Sequence, residues 1–155
     1  MNRLDQVQQI VDEIVLQQPD KVQMRCGFIH LYGVSGVCVI LAKKRGLDVE
    51  LAAVTGMLHD IWSYKTGDST DHARLGALEA ERILREIGSF TDAEIALISD
   101  AILRHSSKNQ VDGPLAELLK HADVLQHYLC NPGHPVHYAE PLESILAELG
   151  LSKSS

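Results

Sequence analysis

Cysteine is scarce in this chain, and the three present, Cys26, Cys38 and Cys130, form no CxxC pair and leave an odd count. Neither a disulfide framework nor a zinc ribbon fits that pattern, and a reducing cytoplasm is the expected compartment. Basic charge is short as well: 14 Lys and Arg against 21 Asp and Glu give a formal net charge of −7 and a pI near 5.5. That balance argues against a function built on broad binding to the phosphate backbone of a nucleic acid polymer, which needs a basic surface. A small phosphorylated ligand stays within reach, because a few local cations or a metal ion can receive it. Long apolar runs are missing too. The stretch from Val34 to Ala42 is too short to span a bilayer. The N-terminal MNRLDQVQQIVDEIV sets Asp5, Asp12 and Glu13 among its apolar residues, unlike a secretory leader. A soluble protein with no membrane partner is expected.

Alternating strand patterns are scarce and there is no fixed repeat, whereas helical periodicity recurs throughout. With 155 residues, 45% apolar and 23% charged, the expectation is a single all-α domain, a bundle of about six to seven helices. Residues 3 to 17 place Leu4, Val7, Ile10, Val11, Ile14 and Val15 on one face, and Pro19 marks the break after them. A second helix is expected over about 20 to 45, ending at Gly46, with Lys43, Lys44 and Arg45 complementing its C-terminal dipole. Asp48 is a plausible N-cap for DVELAAVTGMLHDI, which is apolar on most sides and therefore central. Residues 62 to 70, WSYKTGDST, read as a loop before a helix over about 71 to 87. Thr91 and Glu94 form a capping box for TDAEIALISDAILRH, and Pro114 suits the first turn of a helix to about 129. A short last helix, about 141 to 149, precedes the terminal SKSS.

Among these helices runs an ordered set of imidazoles and carboxylates. His59-Asp60 ends the apolar run MLHDIW, with His30 before it and His72, His105 and Asp123 after it. Polar residues inside so apolar a segment need a buried partner, and an ion supplies one. Imidazole with carboxylate suits Mn, Fe, Co, Ni or Zn, whereas Mg and Ca prefer oxygen-only shells. Adjacent residues on a helix diverge by roughly 100°, so His59 can hold one ion while Asp60 reaches toward a second about 3.5–4 Å away. The bland alternatives are a dipole-stabilised terminal histidine for His59, a packed core histidine for His30 and a carboxylate paired with Lys120 for Asp123, while His72 and His105 could instead support a ligand from behind or contact substrate.

The order His30, His59-Asp60, Asp123, carried by GFIHLYGVSGV, MLHDIW and LLKHADVL, resembles the HD superfamily of metal-dependent phosphohydrolases, whose signature is H…HD…D. His72 in DHARLGA and His105 in AILRHSSK match the further histidines of its binuclear members, and the resemblance covers roughly residues 20 to 130. It implies an HD-domain-like helical core of about that extent within one domain over residues 1–155. It also implies one or two divalent transition metal ions held by His30, His59, Asp60, His72, His105 and Asp123, with Asp60 bridging, and hydrolysis of a small phosphorylated substrate such as a nucleotide. His59 and Asp60 would then be catalytic, and Lys65, in the segment after the doublet, is the expected phosphate-contacting cation. Arg74 and Lys108 are weaker candidates for the mouth, and His127, one turn after Asp123, could orient a ligand. His121, His134 and His137 are expected at the surface. The chain lacks the HDxxED pattern of guanosine tetraphosphate hydrolases and the Gly-Tyr-Pro motif of cyclic-dinucleotide hydrolases. Two other readings remain: a mixed-valent di-iron oxygenase similar to myo-inositol oxygenase, and a metal- or nucleotide-binding regulatory domain without turnover. Self-association is left open.

Overall fold

Short polar side chains open most of the helices. Asn2 and Thr91 form reciprocal capping boxes with Asp5 and Glu94, while the carboxylates of Asp20 and Asp48 accept from free amides of the first turns they precede. The computed structural model describes residues 1–152, so most of the SKSS segment lies outside the described residues. Within them the chain is all helical: α1 (Arg3–Leu16), α2 (Lys21–Arg45), α3 (Val49–Leu58), α4 (Ile61–Thr66), α5 (His72–Ile87), α6 (Asp92–Arg104), α7 (Pro114–Cys130) and α8 (Ala139–Glu148).

Seven of these were expected within a few residues of their ends. The eighth, α4, occupies most of the segment read as a loop. Six residues with only Ile61 buried are too short to show a periodic pattern. Its end is set by Gly67, which takes a left-handed φ of 74°. Helix α8 starts at Ala139, two residues early, because Pro141 falls in its first turn, where its missing amide costs nothing.

The core is one contiguous cluster centred on α3, whose residues from Leu51 to Leu58 are all buried. Helix α3 lies against α2 because Gly56 leaves room: a Cβ there would stand 2.8 Å from the Ser35 Cα and 2.9 Å from the Cys38 Sγ. The Ser35 hydroxyl donates to the Ala53 carbonyl at 2.9 Å and fixes the same crossing. Helix α7 packs on the other flank of α2, and α1 seals the bundle with Val7, Val11 and Val15. At the edge, Arg3 joins three helices by pairing with Glu50 of α3 and Glu94 of α6 at 2.5 and 3.0 Å.

The run Val34–Ala42 is part of a longer apolar helix than its length implied. By composition α2 is long enough to cross a bilayer, with a mean hydropathy of 1.6 over its most apolar stretch, yet 50% of that stretch is buried inside the bundle. It packs as the core helix that delivers His30.

Candidate metal centre

Helix ends aim most of the site. His59 caps the C-terminus of α3, His105 caps that of α6, and His72 is the first residue of α5. Carbonyls in a last turn are short of partners within the helix, and His59 and His105 each take up one three residues back; His72 does the same with a carbonyl of the loop ahead of its helix. The His59 Nδ1 meets Gly56 O at 2.8 Å, the His105 Nδ1 meets Ile102 O at 2.6 Å, and the His72 Nδ1 meets Ser69 O at 3.0 Å. A carbonyl only accepts, so in each case Nδ1 carries the proton and Nε2 is left with its lone pair. His30, in the middle of α2, has no such local anchor. Its Nδ1 donates to the Gln126 Oε1 of α7 at 2.9 Å, and the Gln126 amide nitrogen donates to Ile29 O.

Four Nε2 lone pairs therefore converge on Asp60. One carboxylate oxygen, Oδ2, lies 3.3 Å from His30 and 3.4 Å from His59. The other, Oδ1, lies 3.3 Å from His105 and 3.8 Å from His72. Asp123 Oδ1 joins the first group at 3.7 Å from His30 and 3.9 Å from His59. Donors about 2.1 Å from a common ion stand about 3.0 to 3.4 Å apart in octahedral or tetrahedral shells, so His30, His59 and His105 stand at ligand spacing from Asp60, while His72 from Asp60, and Asp123 from His30 and His59, are a few tenths of an ångström wider. The structure thus brings His30, His59, Asp60, His72, His105 and Asp123 into one cluster of overlapping triads, in which Asp60 is shared by His30 and His59 on one side and His72 and His105 on the other, and Asp123 groups with His30 and His127.

The polar atoms left over fit a cation. Asp60 Oδ1 and Asp123 Oδ1 are buried without a hydrogen-bond donor, and the His30 and His59 Nε2 atoms face each other at 3.0 Å, two lone pairs opposed. Such a set is costly as it stands and is satisfied by a positive ion. Burial alone would raise the Asp60 carboxyl, but when no ion is bound and the facing rings carry a second proton, the charge on His59 and Nε2–H donation from His105, His30 and His59 outweigh it and hold the group well below the usual carboxylate range. Asp123 behaves alike: burial raises it, and His127, His59 and Lys108 together bring it down.

Around this cluster stand groups that the sequence marked weakly or not at all. Lys108, in the α6–α7 loop, donates to Asp123 Oδ2 at 2.6 Å and leaves Oδ1 turned toward the imidazoles. His127 lies 3.3 Å from Asp123 Oδ1 and is raised above its ordinary value, chiefly by that contact. Gln126 had no distinguishing mark beyond standing three residues after Asp123. Tyr64, one turn after Asp60, sits 6.3 Å from His30 between ring centroids and fits because Gly27 has no side chain there.

Lys65 is not brought to the cluster. Its ammonium pairs with the buried Glu79 of α5 at 2.9 Å, alongside Arg82, and it lines neither hollow beside the centre. Forming α4 turns it along the outside of that short helix. Arg74 is likewise held by Asp71 at 2.5 Å on the surface. The carboxylate partner of Lys120 is not Asp123: Lys120 is buried against Asp112 and Glu117, at 2.6 and 2.8 Å. His121 leans on Arg45, and His134 and His137 lie beyond α7.

Two hollows reach the centre. One, of about 500 Å³, is lined by Gln18, Gln23, Ser63, Ser69, Tyr64 and His72 together with Asp60. The other, of about 450 Å³, is lined by Arg25, Cys26, Ile29, Tyr64, His127 and Cys130 together with His30 and Asp60.

The family model of the HD domain matches residues 27–127, the stretch that carries all six clustered residues. No curated protein and no solved structure matches the chain.

Proposed function

Because the chain belongs to the HD domain family, mostly metal-dependent phosphohydrolases, we propose that it hydrolyses a small phosphate ester, a nucleotide or a related phosphorylated metabolite. The observation that carries this reading is the convergence of four Nε2 lone pairs on the two oxygens of Asp60. One or two ions from the Mn, Fe, Co, Ni and Zn group suit that donor set. Bound there, such an ion supplies Lewis acidity toward phosphoryl oxygens and a water acidic enough to ionise near neutral pH.

The chain's own residues do the rest. His30, His59 and Asp123 would hold one ion, His72 and His105 the other, with Asp60 shared. Lys108 keeps Asp123 oriented by occupying the oxygen that points away from the rings. The hydrogen bonds behind the four rings fix their tautomer and aim before any ligand arrives. Both hollows end at Asp60, so a phosphoryl group resting there meets the donor set while its substituents extend outward. The three cysteines are unpaired, which supports a reducing, cytoplasmic setting.

Metal analysis of the purified protein, followed by phosphate release from a nucleotide panel with Mn, Co, Ni or Fe, tests the proposal. Stoichiometric metal and metal-dependent turnover are expected. Oxygen uptake by the iron-loaded protein on a phosphonate or polyol, with no phosphate ester cleaved, would replace hydrolysis by the oxidative alternative.

A further inference from the structure

The two hollows differ in their walls and share their floor. Asp60 and Tyr64 line both. The larger lies on the side of His72, which faces Asp60 Oδ1, and the smaller on the side of His30, which faces Oδ2. A group resting on Asp60 therefore sits where the hollows meet, with one on each flank. At about 500 and 450 Å³, each falls in the size range of a small-molecule pocket. A phosphate monoester has one organic arm and would use one of them.

Tyr64 is held in place on both sides. Its backbone carbonyl accepts from the Gln18 side-chain amide of the α1–α2 connection. On the other side its ring fills the space above Gly27, where a Cβ would lie 2.9 Å from the Tyr64 Cδ1. Held by α2 and by the α1–α2 connection, Tyr64 is a fixed part of the floor that both hollows share.

The walls state what each arm is. The larger hollow carries amides and hydroxyls from Gln18, Gln23, Ser63 and Ser69 and no lysine or arginine, so it suits a neutral arm rich in donors and acceptors, such as a nucleoside. The smaller presents Ile29, Cys26, Cys130 and the Tyr64 ring beside Arg25, Gln126 and His127, and suits a flat, largely apolar arm with a polar edge.

Resting on the hydrolase reading above, we propose that the substrate is an unsymmetrical phosphodiester, its hydroxyl-rich arm in the Gln23 hollow and its apolar arm in the Ile29 hollow. In the reaction the oxygen of one water bonds to phosphorus and one ester P–O bond breaks. The departing oxygen takes a proton from that water, leaving a monoester and an alcohol.

The test uses thymidine 5′-(p-nitrophenyl phosphate), p-nitrophenyl phosphate and thymidine 5′-phosphate with the Mn-loaded protein. The diester is expected to show kcat/KM at least about 100-fold above either monoester, the scale of losing a well-fitted arm. Gln23→Ala and Ile29→Ala, both at exposed positions, should each raise KM for the diester about tenfold while kcat moves little. Calorimetric binding of a diester analogue in which methylene replaces the scissile ester oxygen, so that no P–O bond can break there, should weaken in parallel in the same variants, a readout independent of turnover. Monoesters cleaved as well as the diester would overturn the two-armed substrate and leave the hydrolase reading standing. Failure to cleave any phosphate ester under any metal would remove both.

Discussion

Gln126→Leu isolates how one ring is aimed. In the native chain the Gln126 Oε1 takes the His30 Nδ1 proton at 2.9 Å across 96 residues of sequence, inside a site where His30 is only 8% exposed. Leucine has a similar volume and cannot accept, so Nδ1–H is left buried and unpaired, which costs about 1–3 kcal/mol. The ring can escape by moving its proton to Nε2 or by rotating, and either removes the lone pair from the half-site of His30, His59 and Asp123. Loss of a partner behind a ligating imidazole weakens metal binding about 10- to 100-fold, or roughly 1.4 to 2.7 kcal/mol. Gln126→Glu keeps an acceptor at the same place and should keep affinity near the native level. Competition against a graded set of chelators reads the affinities, and urea unfolding of the metal-free proteins separates the stability term. Native affinity in Gln126→Leu, with stability unchanged, would show that the Gln126 contact does not set the aim of His30.

Three further outcomes follow from the same geometry. Asp60→Ala should abolish metal-dependent turnover while circular dichroism keeps its helical signature; full activity would remove Asp60 from the centre. Gly56→Leu places its Cβ 2.8 Å from the Ser35 backbone, which cannot yield as a flexible side chain would. A loss of about 3 kcal/mol or more in urea unfolding is expected, and native stability would contradict the α2–α3 packing. Glu94 is held below its ordinary value, first by the Thr91 amide and then by Arg3, so its contribution is present above the unfolded carboxylate range and lost as pH falls through the folded one. Glu94→Gln should therefore be less stable than the native chain at pH 7, with the gap closing as pH falls below the ordinary carboxylate range in pH-stepped melts; a constant gap would contradict the assignment.

Much of the fold was written in local signals. Asn2, Asp20, Asp48 and Thr91 are short polar residues ahead of periodic apolar runs, and each caps the helix expected. The six clustered residues were legible as a group because type and order travel with the sequence. What could not be read was decided by tertiary contacts. Lys65 and Lys108 each follow a ligand candidate closely in sequence, and only folding shows Glu79 capturing the first while Asp123 takes the second. Gln126 and Tyr64 gain their roles from meeting α2 across intervening helices, and an amide or a phenol on a helix face carries no mark of that. Helix α4 was hidden by its length.

Three of the four rings carry their own rigging. His59, His72 and His105 each tie Nδ1 to a carbonyl three positions back, so a single tetrapeptide encodes both a donor and its heading. Damage to one such segment leaves the neighbours pointed as before, and the centre degrades stepwise. His30 alone waits for α7 to dock on α2 before its heading is set. Completion of that half-site is thereby a report that the two ends of the domain have met.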